Sequence, residues 1–244
     1  MYQLEIKNLR KRYSGQKEDV LRGISLVVKP GEVFGFLGKN GAGKSTTLKC
    51  ITGILPIDFG SVKICGYDIN SNPLEAKFHF GYVSDNHLTY EEMTGREYLH
   101  FIASVYRVSN KDFQERFLNL IKLFEIEEAI DRFIRFYSLG MKQKIAIIAS
   151  LIHEADLWIL DEPFSGLDVG VAFQLKKYIQ EYKAKGKSVF LTSHNLDSVE
   201  KICDRVAIIQ EGIIKEVIDL HQFKLNSKIS LEEHFHSLVG AFDV

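Results

Sequence analysis

The sequence predicts an α/β fold, a parallel β-sheet covered by helices, with a helical segment inserted into it. Three observations predict it. The apolar run from Val33 to Leu37 is followed by a glycine-rich loop and then by a helical pattern. Strands and helices alternate again after residue 150, as in a parallel sheet with helices on both faces. Between these parts, apolar residues have helical spacing from Gly95 to about Ile134.

Composition favours one large globular domain. The chain has 244 residues, of which 45% are hydrophobic and 26% charged, with four prolines and no low-complexity linker. The formal net charge of -1 gives no general attraction for nucleic acid, so no nucleic-acid partner is expected. No apolar run approaches the roughly 18 residues of a membrane span. The N-terminus also lacks the charged-then-apolar order of a signal peptide.

Three cysteines, Cys50, Cys65 and Cys203, form neither a C-x-x-C pair nor a metal-ligand spacing in the sequence. Each lies in an apolar stretch, and an odd number does not suit a disulfide framework. We therefore expect three small buried side chains in a reducing compartment.

The predicted elements follow one another along the chain. Before the glycine-rich loop, period-2 alternation predicts strands at Leu4–Lys7, Leu21–Val28 and Val33–Leu37, and a helix follows at Ser45–Ile51. After it come a strand at Gly81–Ser84, the helical middle and a helix at Met141–Ile152. In the last part, strands and helices alternate. A strand at Leu157–Leu160 is followed by a helix at Val169–Lys185, a strand at Ser188–Thr192, a helix at Asn195–Ile202 and a strand at Arg205–Gln210. A capped amphipathic helix begins at Ser230.

Aromatic side chains recur every three or four residues through the helical middle. This spacing places them on helix faces, where core packing is the favoured interpretation and a partner-docking surface the alternative. The stripe comprises Tyr98, Phe101, Tyr106, Phe113, Phe117, Leu120 and Phe124.

The glycine-rich loop matches G-x-x-x-x-G-K-[ST] in full, between a buried strand and a helix. Glycines let backbone N–H groups converge on phosphate oxygens, and the helix N-terminus adds positive potential there. Lys44 would neutralise the β- and γ-phosphates, and the Ser45 hydroxyl would ligate Mg²⁺. A chance glycine turn is the alternative, which the strand–loop–helix context disfavours. The predicted nucleotide contacts are Gly38, Lys39, Asn40, Gly41, Ala42, Gly43, Lys44, Ser45 and Thr46.

Two carboxylates, Asp161 and Glu162, follow the apolar strand that begins at Leu157. Ligands of open α/β sheets bind beyond the carboxyl ends of the strands, so Asp161 is a candidate Mg²⁺ ligand. Glu162 would polarise the water that attacks the γ-phosphate. Standing alone, such acids would more simply cap a turn. Beside a full phosphate loop, the catalytic interpretation is favoured.

Two further polar residues follow. Asp168 opens the next predicted helix, where an aspartate also serves as a simple N-cap. His194 follows the next strand and so reaches the same sheet edge as Asp161. A hydrogen bond from His194 to a γ-phosphate is favoured there over mere local packing.

One more segment completes a family resemblance. Tyr137 to Lys144 reads Tyr-Ser-Leu-Gly-Met-Lys-Gln-Lys and is similar to the L-S-G-G-Q signature of ATP-binding-cassette (ABC) proteins. With the loop, the carboxylate pair, Asp168 and His194 in the family's order, the whole chain resembles the nucleotide-binding subunit of a bacterial ABC transporter. The resemblance implies a P-loop NTPase core with an N-terminal antiparallel β subdomain and an inserted α-helical subdomain. The corresponding ranges are 1–84 and 153–220 for the core, 85–152 for the insertion, and 221–244 for a short C-terminal helical extension.

The resemblance also implies roles for individual residues, with ATP and Mg²⁺ as cofactors. Tyr13 matches the aromatic residue that stacks on adenine, Asp161 the Mg²⁺ ligand and Glu162 the catalytic base. Asp168 matches the aspartate that communicates across a dimer, and His194 the γ-phosphate switch. Two subunits, identical or different, would close head to tail on two ATP molecules, and the signature residues Ser138 and Gly140 would complete the partner's site.

Two positions depart from the family pattern. Leu139 and Met141 replace the usual glycine and glutamine of the signature, whereas Ser138 and Gly140 remain. Asp85 stands where a glutamine is commonest, after the strand at Gly81–Ser84. A carboxylate there would still reach Mg²⁺ through water.

The implied function is ATP hydrolysis that powers transport through a separate membrane-spanning permease subunit, on the inner, cytoplasmic face of the membrane. The insertion and the loop from Asp85 to Glu97 would dock the permease. The signature form, the acidic residue at position 85 and the short C-terminus resemble exporters more than importers. The alternative is a soluble ABC-type ATPase acting on ribosomes or DNA. A P-loop GTPase is disfavoured because the chain has no N-K-x-D guanine-binding motif.

Overall fold

A six-stranded sheet forms the centre of the protein in the computed structural model, which describes residues 1–85 and 90–240. Five strands run parallel, and the last strand of the chain pairs antiparallel at one edge. In spatial order the strands are β10 (Ile213–Asp219), β9 (Arg205–Gln210), β3 (Val33–Leu37), β8 (Ser188–Thr192), β7 (Leu157–Asp161) and β6 (Phe80–Val83).

A second, antiparallel sheet of four strands packs beside the first. Its spatial order is β2 (Leu21–Val28), β1 (Leu4–Lys11), β4 (Phe59–Ile64) and β5 (Tyr67–Asp68). The predicted strands in this region are confirmed, and β1 is longer than expected. Neither β4 nor β5 was predicted: Gly60 interrupts the alternation of β4, and β5 has only two residues. Gly60, with φ of 94°, brings its strand so close to β1 that a Cβ atom would lie 2.4 Å from the Lys7 carbonyl oxygen.

Helices cover the central sheet, and several begin with side-chain caps that the sequence provides. Ser230 and Glu233 form a capping box, which confirms the predicted C-terminal helix. The helices are α1 (Lys44–Ile51), α2 (Pro73–Phe78), α3 (Gly95–Val105), α4 (Asn110–Leu123), α5 (Leu139–Leu151), α6 (Val169–Ala184), α7 (Leu196–Ile202), α8 (Leu220–Asn226) and α9 (Leu231–Val239). Within residues 1–85 and 90–240, none is long and apolar enough to cross a bilayer.

The helical middle is confirmed, although it is broken into α3, α4 and two short 3₁₀ turns, Glu127–Ala129 and Ile134–Phe136. The core interpretation of the aromatic stripe holds for most of its members. Phe101 is the exception, with 38% of its surface exposed, and Tyr106 is half-buried. The buried members are Tyr98, Phe113, Phe117, Leu120 and Phe124.

The central strands separate two apolar cores, which explains why β3 is almost wholly apolar. Val33 and Leu37 pack with the helical middle, whereas Phe34 and Phe36 pack beneath the antiparallel sheet. Strand side chains alternate between faces, and both faces of β3 are covered, so no position tolerates a polar residue. The Phe34 ring stacks against Phe190 of β8, at 5.9 Å between centroids.

The cysteine prediction is confirmed for Cys50 and Cys203, which are buried thiols. It is wrong for Cys65, which is only half-buried. This residue follows β4 with φ of 49°, at a tight turn that leaves its side chain near the surface.

Candidate functional site

The candidate site lies at the edge where four parallel strands end. The phosphate loop follows β3, Asp85 comes shortly after β6, Asp161 ends β7, and His194 follows β8. Because β6, β7, β8 and β3 are neighbours in the sheet, their carboxyl ends meet at one edge. Residues that are more than 150 positions apart in the chain are thereby brought to one surface.

The phosphate loop is built for an anion. Helix α1 begins after Gly43, whose φ is 110°, and no side chain caps its first turn. Its N-terminal amides therefore remain available, together with the positive end of the helix dipole. A cavity of about 230 Å³ lies there, and its lining comprises Val20, Asn40, Gly41, Gly43, Lys44, Ser45 and Thr46.

Lys44 lies across the loop. Its Nζ donates to the carbonyl oxygens of Gly38 at 2.6 Å and Lys39 at 3.2 Å. Burial lowers the pKa of the Lys44 ammonium, and the negative charges of Glu162 and Asp161 partly oppose this shift. A desolvated cation that donates to carbonyl oxygens is well placed to pair with a phosphate.

Tyr13 lies beside the start of α1. Its phenol oxygen is 3.2 Å from the Thr46 hydroxyl, and the ring is half-buried. An aromatic ring next to the phosphate loop is in reach of the base of a nucleotide whose phosphates occupy that loop.

Asp161 is a buried carboxylate in a crowded negative environment. Burial raises its pKa, and the charges of Asp85 and Glu162 raise it further, whereas Lys44 lowers it. The Thr192 hydroxyl donates to Asp161 Oδ1 at 2.6 Å. Ser45 is exposed in the first turn of α1. Oxygen donors with excess negative charge are the set that a hard divalent cation such as Mg²⁺ prefers.

Glu162 adopts a strained backbone conformation, with φ of 49° for a residue other than glycine. Its carboxylate is 2.9 Å from His194 Nδ1 and also accepts the His194 backbone N–H at 3.2 Å. The side chain of His194 is 65% exposed, so it borders the site rather than packing into the core. The structure thus brings the candidate base and the candidate γ-phosphate switch into direct contact.

Two functional candidates were not identified from the sequence. Thr192 bonds Asp161 and also accepts the backbone N–H of Glu162 at 3.1 Å, so it fixes both carboxylate residues. Gln143 is fully buried in α5 and donates to the Pro163 carbonyl oxygen at 2.7 Å. Lys142 and Lys144 flank it, so the signal that could have identified it is its position four residues before buried Ile147, on the same face of α5.

The signature segment begins α5. Ser138 caps the helix by accepting the Met141 N–H at 3.3 Å, and Gly140 lies so close to Gly166 that a Cβ atom would be 3.3 Å from its carbonyl oxygen. Ser138 and Leu139 are both exposed, so the N-terminus of α5 faces the surface of the chain.

Asp168 caps α6, as the simpler interpretation expected. Its carboxylate accepts the Val171 N–H at 2.9 Å, and this hydrogen bond lowers its pKa. The residue is exposed next to the signature segment, so a cap and a contact with another subunit are compatible.

Comparison with known proteins identifies the family. The ABC transporter domain matches residues 21–165. The linearmycin resistance ATP-binding protein LnrL of Bacillus subtilis is 35% identical over 209 residues, which are 86% of this chain and 67% of that protein. The Nod factor export ATP-binding protein I of Burkholderia orbicola is 31% identical over 209 residues, which are 86% of this chain and 68% of that protein.

Solved structures agree with the sequence relatives. A structure of the ATP-binding subunit of an ABC transporter superposes with a TM-score of 0.90 at 36% identity, covering 96% of this chain and 98% of the other. The predicted P-loop NTPase core, antiparallel β subdomain and helical insertion are all present. The chain therefore belongs to the ABC transporter family, as one of its ATP-binding and ATP-hydrolysing subunits.

Proposed function

We propose that this chain powers an exporter by closing head to tail on a second nucleotide-binding subunit when both bind Mg²⁺-ATP. The observation that carries the proposal is the exposed N-terminus of α5. Ser138 and Leu139 lie at the surface there, where the first amides of the helix are placed to meet an anion bound by another subunit. A second copy, or a related subunit, would bring its own Ser138 and Gly140 to the open side of the γ-phosphate.

The chemistry within the site follows from the placement of its residues. Lys44 and the loop amides would bind the phosphates, and Tyr13 would stack on adenine. Asp161, Ser45 and, through water, Asp85 would hold Mg²⁺, which neutralises charge on the β- and γ-phosphates. Glu162 would orient and deprotonate the attacking water, and His194, already bonded to it, would sense the γ-phosphate. Asp168 would contact the second subunit.

The dimer is tested with Glu162→Gln, which keeps the geometry but removes the base. ATP hydrolysis should fall by at least about 10²-fold. With Mg²⁺-ATP, sedimentation should show a species of twice the 27.9 kDa chain mass. Adding Ser138→Arg should abolish this dimer while nucleotide binding persists. Hydrolysis by Glu162→Gln at the normal rate would remove Glu162 as the base, and a dimer that tolerates Ser138→Arg would exclude the proposed interface.

A membrane-spanning permease is the proposed partner, which would hold the chain at the cytoplasmic face of the membrane. Support comes from a cavity of about 310 Å³ between core and insertion, whose lining includes Phe80, Tyr82, Tyr98, Tyr106 and His153. Exposed Phe101 and Tyr90 contact each other nearby, at 5.5 Å between rings. Part of the predicted docking loop, residues 86–89, lies outside the described residues.

Export rather than import is supported by the name of one relative, the Nod factor export ATP-binding protein I. Affinity capture of the tagged chain from detergent-solubilised native membranes should recover an integral-membrane protein. Phe101→Arg, which places a charge on the exposed aromatic pair beside this cavity, should prevent that recovery without affecting ATP binding. Recovery of ribosomes or DNA-associated proteins instead, with no membrane protein, would favour the alternative of a soluble ABC-type ATPase.

A further inference from the structure

Three potential metal ligands meet at the edge of the sheet opposite the nucleotide. Cys65 follows β4, His79 immediately precedes β6, and Asp156 immediately precedes β7. The nucleotide residues lie at the carboxyl ends of the parallel strands, whereas His79 and Asp156 lie at the amino ends. Strands of four or five residues span roughly 15 Å, so the two places are separate.

The three side chains converge closely. One ligand atom from each of Cys65, His79 and Asp156 lies within 4.8 Å of the others. His79 Nδ1 is 2.7 Å from Asp156 Oδ2, and Cys65 Sγ is 3.3 Å from the amide oxygen of Gln3. The Tyr67 ring stacks on His79 at 5.1 Å and 13°, which holds the imidazole in place.

We propose that Cys65, His79 and Asp156 bind a divalent transition-metal ion of the zinc class. A thiolate, an imidazole and a carboxylate together suit such an ion, whereas Mg²⁺ and Ca²⁺ prefer oxygen ligands alone. The fourth position would hold water or the Gln3 amide oxygen. In a tetrahedral zinc site, nitrogen and oxygen ligands lie roughly 3.4 Å apart. His79 and Asp156 would therefore separate by well under 1 Å to admit the ion.

A bound divalent ion would deprotonate the Cys65 thiol and compensate the charge of the Asp156 carboxylate. The Lys187 ammonium, which donates to the neighbouring Ala155 carbonyl oxygen, would weaken metal binding by repulsion.

The site would link the two sheets of the fold. Cys65 follows β4 of the antiparallel sheet, and the other two ligands immediately precede β6 and β7 of the central sheet. An ion that binds only the native arrangement stabilises it by mass action, by about 2.7 kcal/mol at a free concentration 100 times Kd. Metal binding should therefore raise the midpoint of thermal unfolding without nucleotide.

Cobalt provides a direct test, because a cobalt–thiolate bond gives a charge-transfer absorption that a site of oxygen and nitrogen ligands lacks. The nucleotide-free, reduced full chain is titrated with Co²⁺, and one equivalent should produce the band. Zn²⁺ should remove the band by displacement. Cys65→Ser should abolish the band, whereas Cys203→Ala, at a cysteine far from the cluster, should keep it.

Asp156→Asn provides a second variant at a half-exposed position, where folding is checked by circular dichroism. It should weaken Co²⁺ binding by at least about 10-fold. Absence of the band in the wild-type chain, or its persistence in Cys65→Ser, would overturn the proposal. Unchanged affinity in folded Asp156→Asn would also overturn it, because the carboxylate would then not be a ligand.

Discussion

At the scale of single residues, the site depends on Thr192, which contacts both candidate carboxylate residues. The Thr192 hydroxyl has one proton and donates it to Asp161, while its oxygen accepts the backbone N–H of Glu162. One side chain thus orients the candidate Mg²⁺ ligand and fixes the backbone of the candidate base, which has an unfavourable positive φ.

Replacing this hydroxyl should therefore reduce catalysis more than binding. We expect Thr192→Val, of nearly the same volume, to lower kcat by about 10- to 100-fold. Thr192→Ser keeps the hydroxyl and serves as the matched control, with activity near that of the wild type. Steady-state ATPase assays over a range of Mg²⁺ concentrations measure both variants. Equal activity of the valine and serine variants would show that the hydroxyl has no positioning role.

Asp161 illustrates a conflict between stability and function. Its pKa is raised in the folded chain, mainly by burial, so its charged form is less favourable there than in the unfolded chain. The native state consequently binds the proton more tightly, and stability falls as pH rises from the ordinary aspartate value through the raised one. At neutral pH the nucleotide-free protein bears this penalty.

Asp161→Asn should remove the penalty, and the oxygen of the substituted amide can still accept from the Thr192 hydroxyl. We expect the variant to unfold at a higher temperature than the wild type when nucleotide and Mg²⁺ are absent. Its Mg²⁺-dependent ATPase activity should fall by at least about 10²-fold. Calorimetry of both proteins, with and without Mg²⁺-ATP, measures the change in stability, and ATPase assays measure the change in activity. A lower unfolding temperature of the nucleotide-free variant would contradict this account of the buried charge.

At the scale of elements, His153 connects three parts of the fold just beyond α5. Its Nε2 lies 3.0 Å from the Phe80 carbonyl oxygen at the start of β6, and its ring stacks on Tyr106, after α3, at 3.7 Å. Burial lowers the pKa of His153 to about 4. The imidazole is therefore neutral in the folded protein under conditions in which the unfolded chain would be protonated.

The sign of the pH effect follows from this difference. Between about pH 6.5 and 4 the unfolded chain binds a proton at His153 that the native chain does not, so stability falls as pH falls. The slope from this residue is at most about 1.4 kcal/mol per pH unit. His153→Gln should flatten the dependence of the unfolding free energy on pH in this window. His221→Gln, at an exposed position, should not, and urea titrations at several pH values compare the three proteins.

Local sequence information predicted most elements, because their patterns are complete within a few residues. β2, β3 and β8 have the predicted bounds, and Asp168 and Ser230 cap helices where predicted. β10 was missed because its side chains are mostly exposed at a sheet edge, which leaves no apolar alternation to read. α2 and α8, of six and seven residues, were also missed.

At the scale of the whole molecule, the C-terminal helix α9 is part of the larger core rather than an appendage. Phe235 is fully buried and packs within the same apolar cluster as Trp158 and Phe117. The packing of Phe235 thus joins α9 to the centre of the fold.

Truncating Phe235 should therefore lower the global stability. We expect Phe235→Ala to reduce the free energy of unfolding by about 3–5 kcal/mol, through lost apolar burial and the cavity that remains. Leu238→Ala, on the same helix but 37% exposed, is the control and should cost much less. Chemical denaturation measures both. Equal losses would mean that helix propensity, rather than core packing, accounts for the effect.

The sequence by itself determined the phosphate loop, the carboxylate pair, the signature and the order of the segments that carry them. These features are contiguous, and their chemistry depends on a few neighbouring backbone groups. The tertiary structure alone decided which distant groups meet: Thr192 with both carboxylates, Gln143 with Pro163, and Cys65 with His79 and Asp156. The spatial order of the strands sets these contacts. That order depends on packing of both sheet faces over the whole chain, which no local pattern encodes.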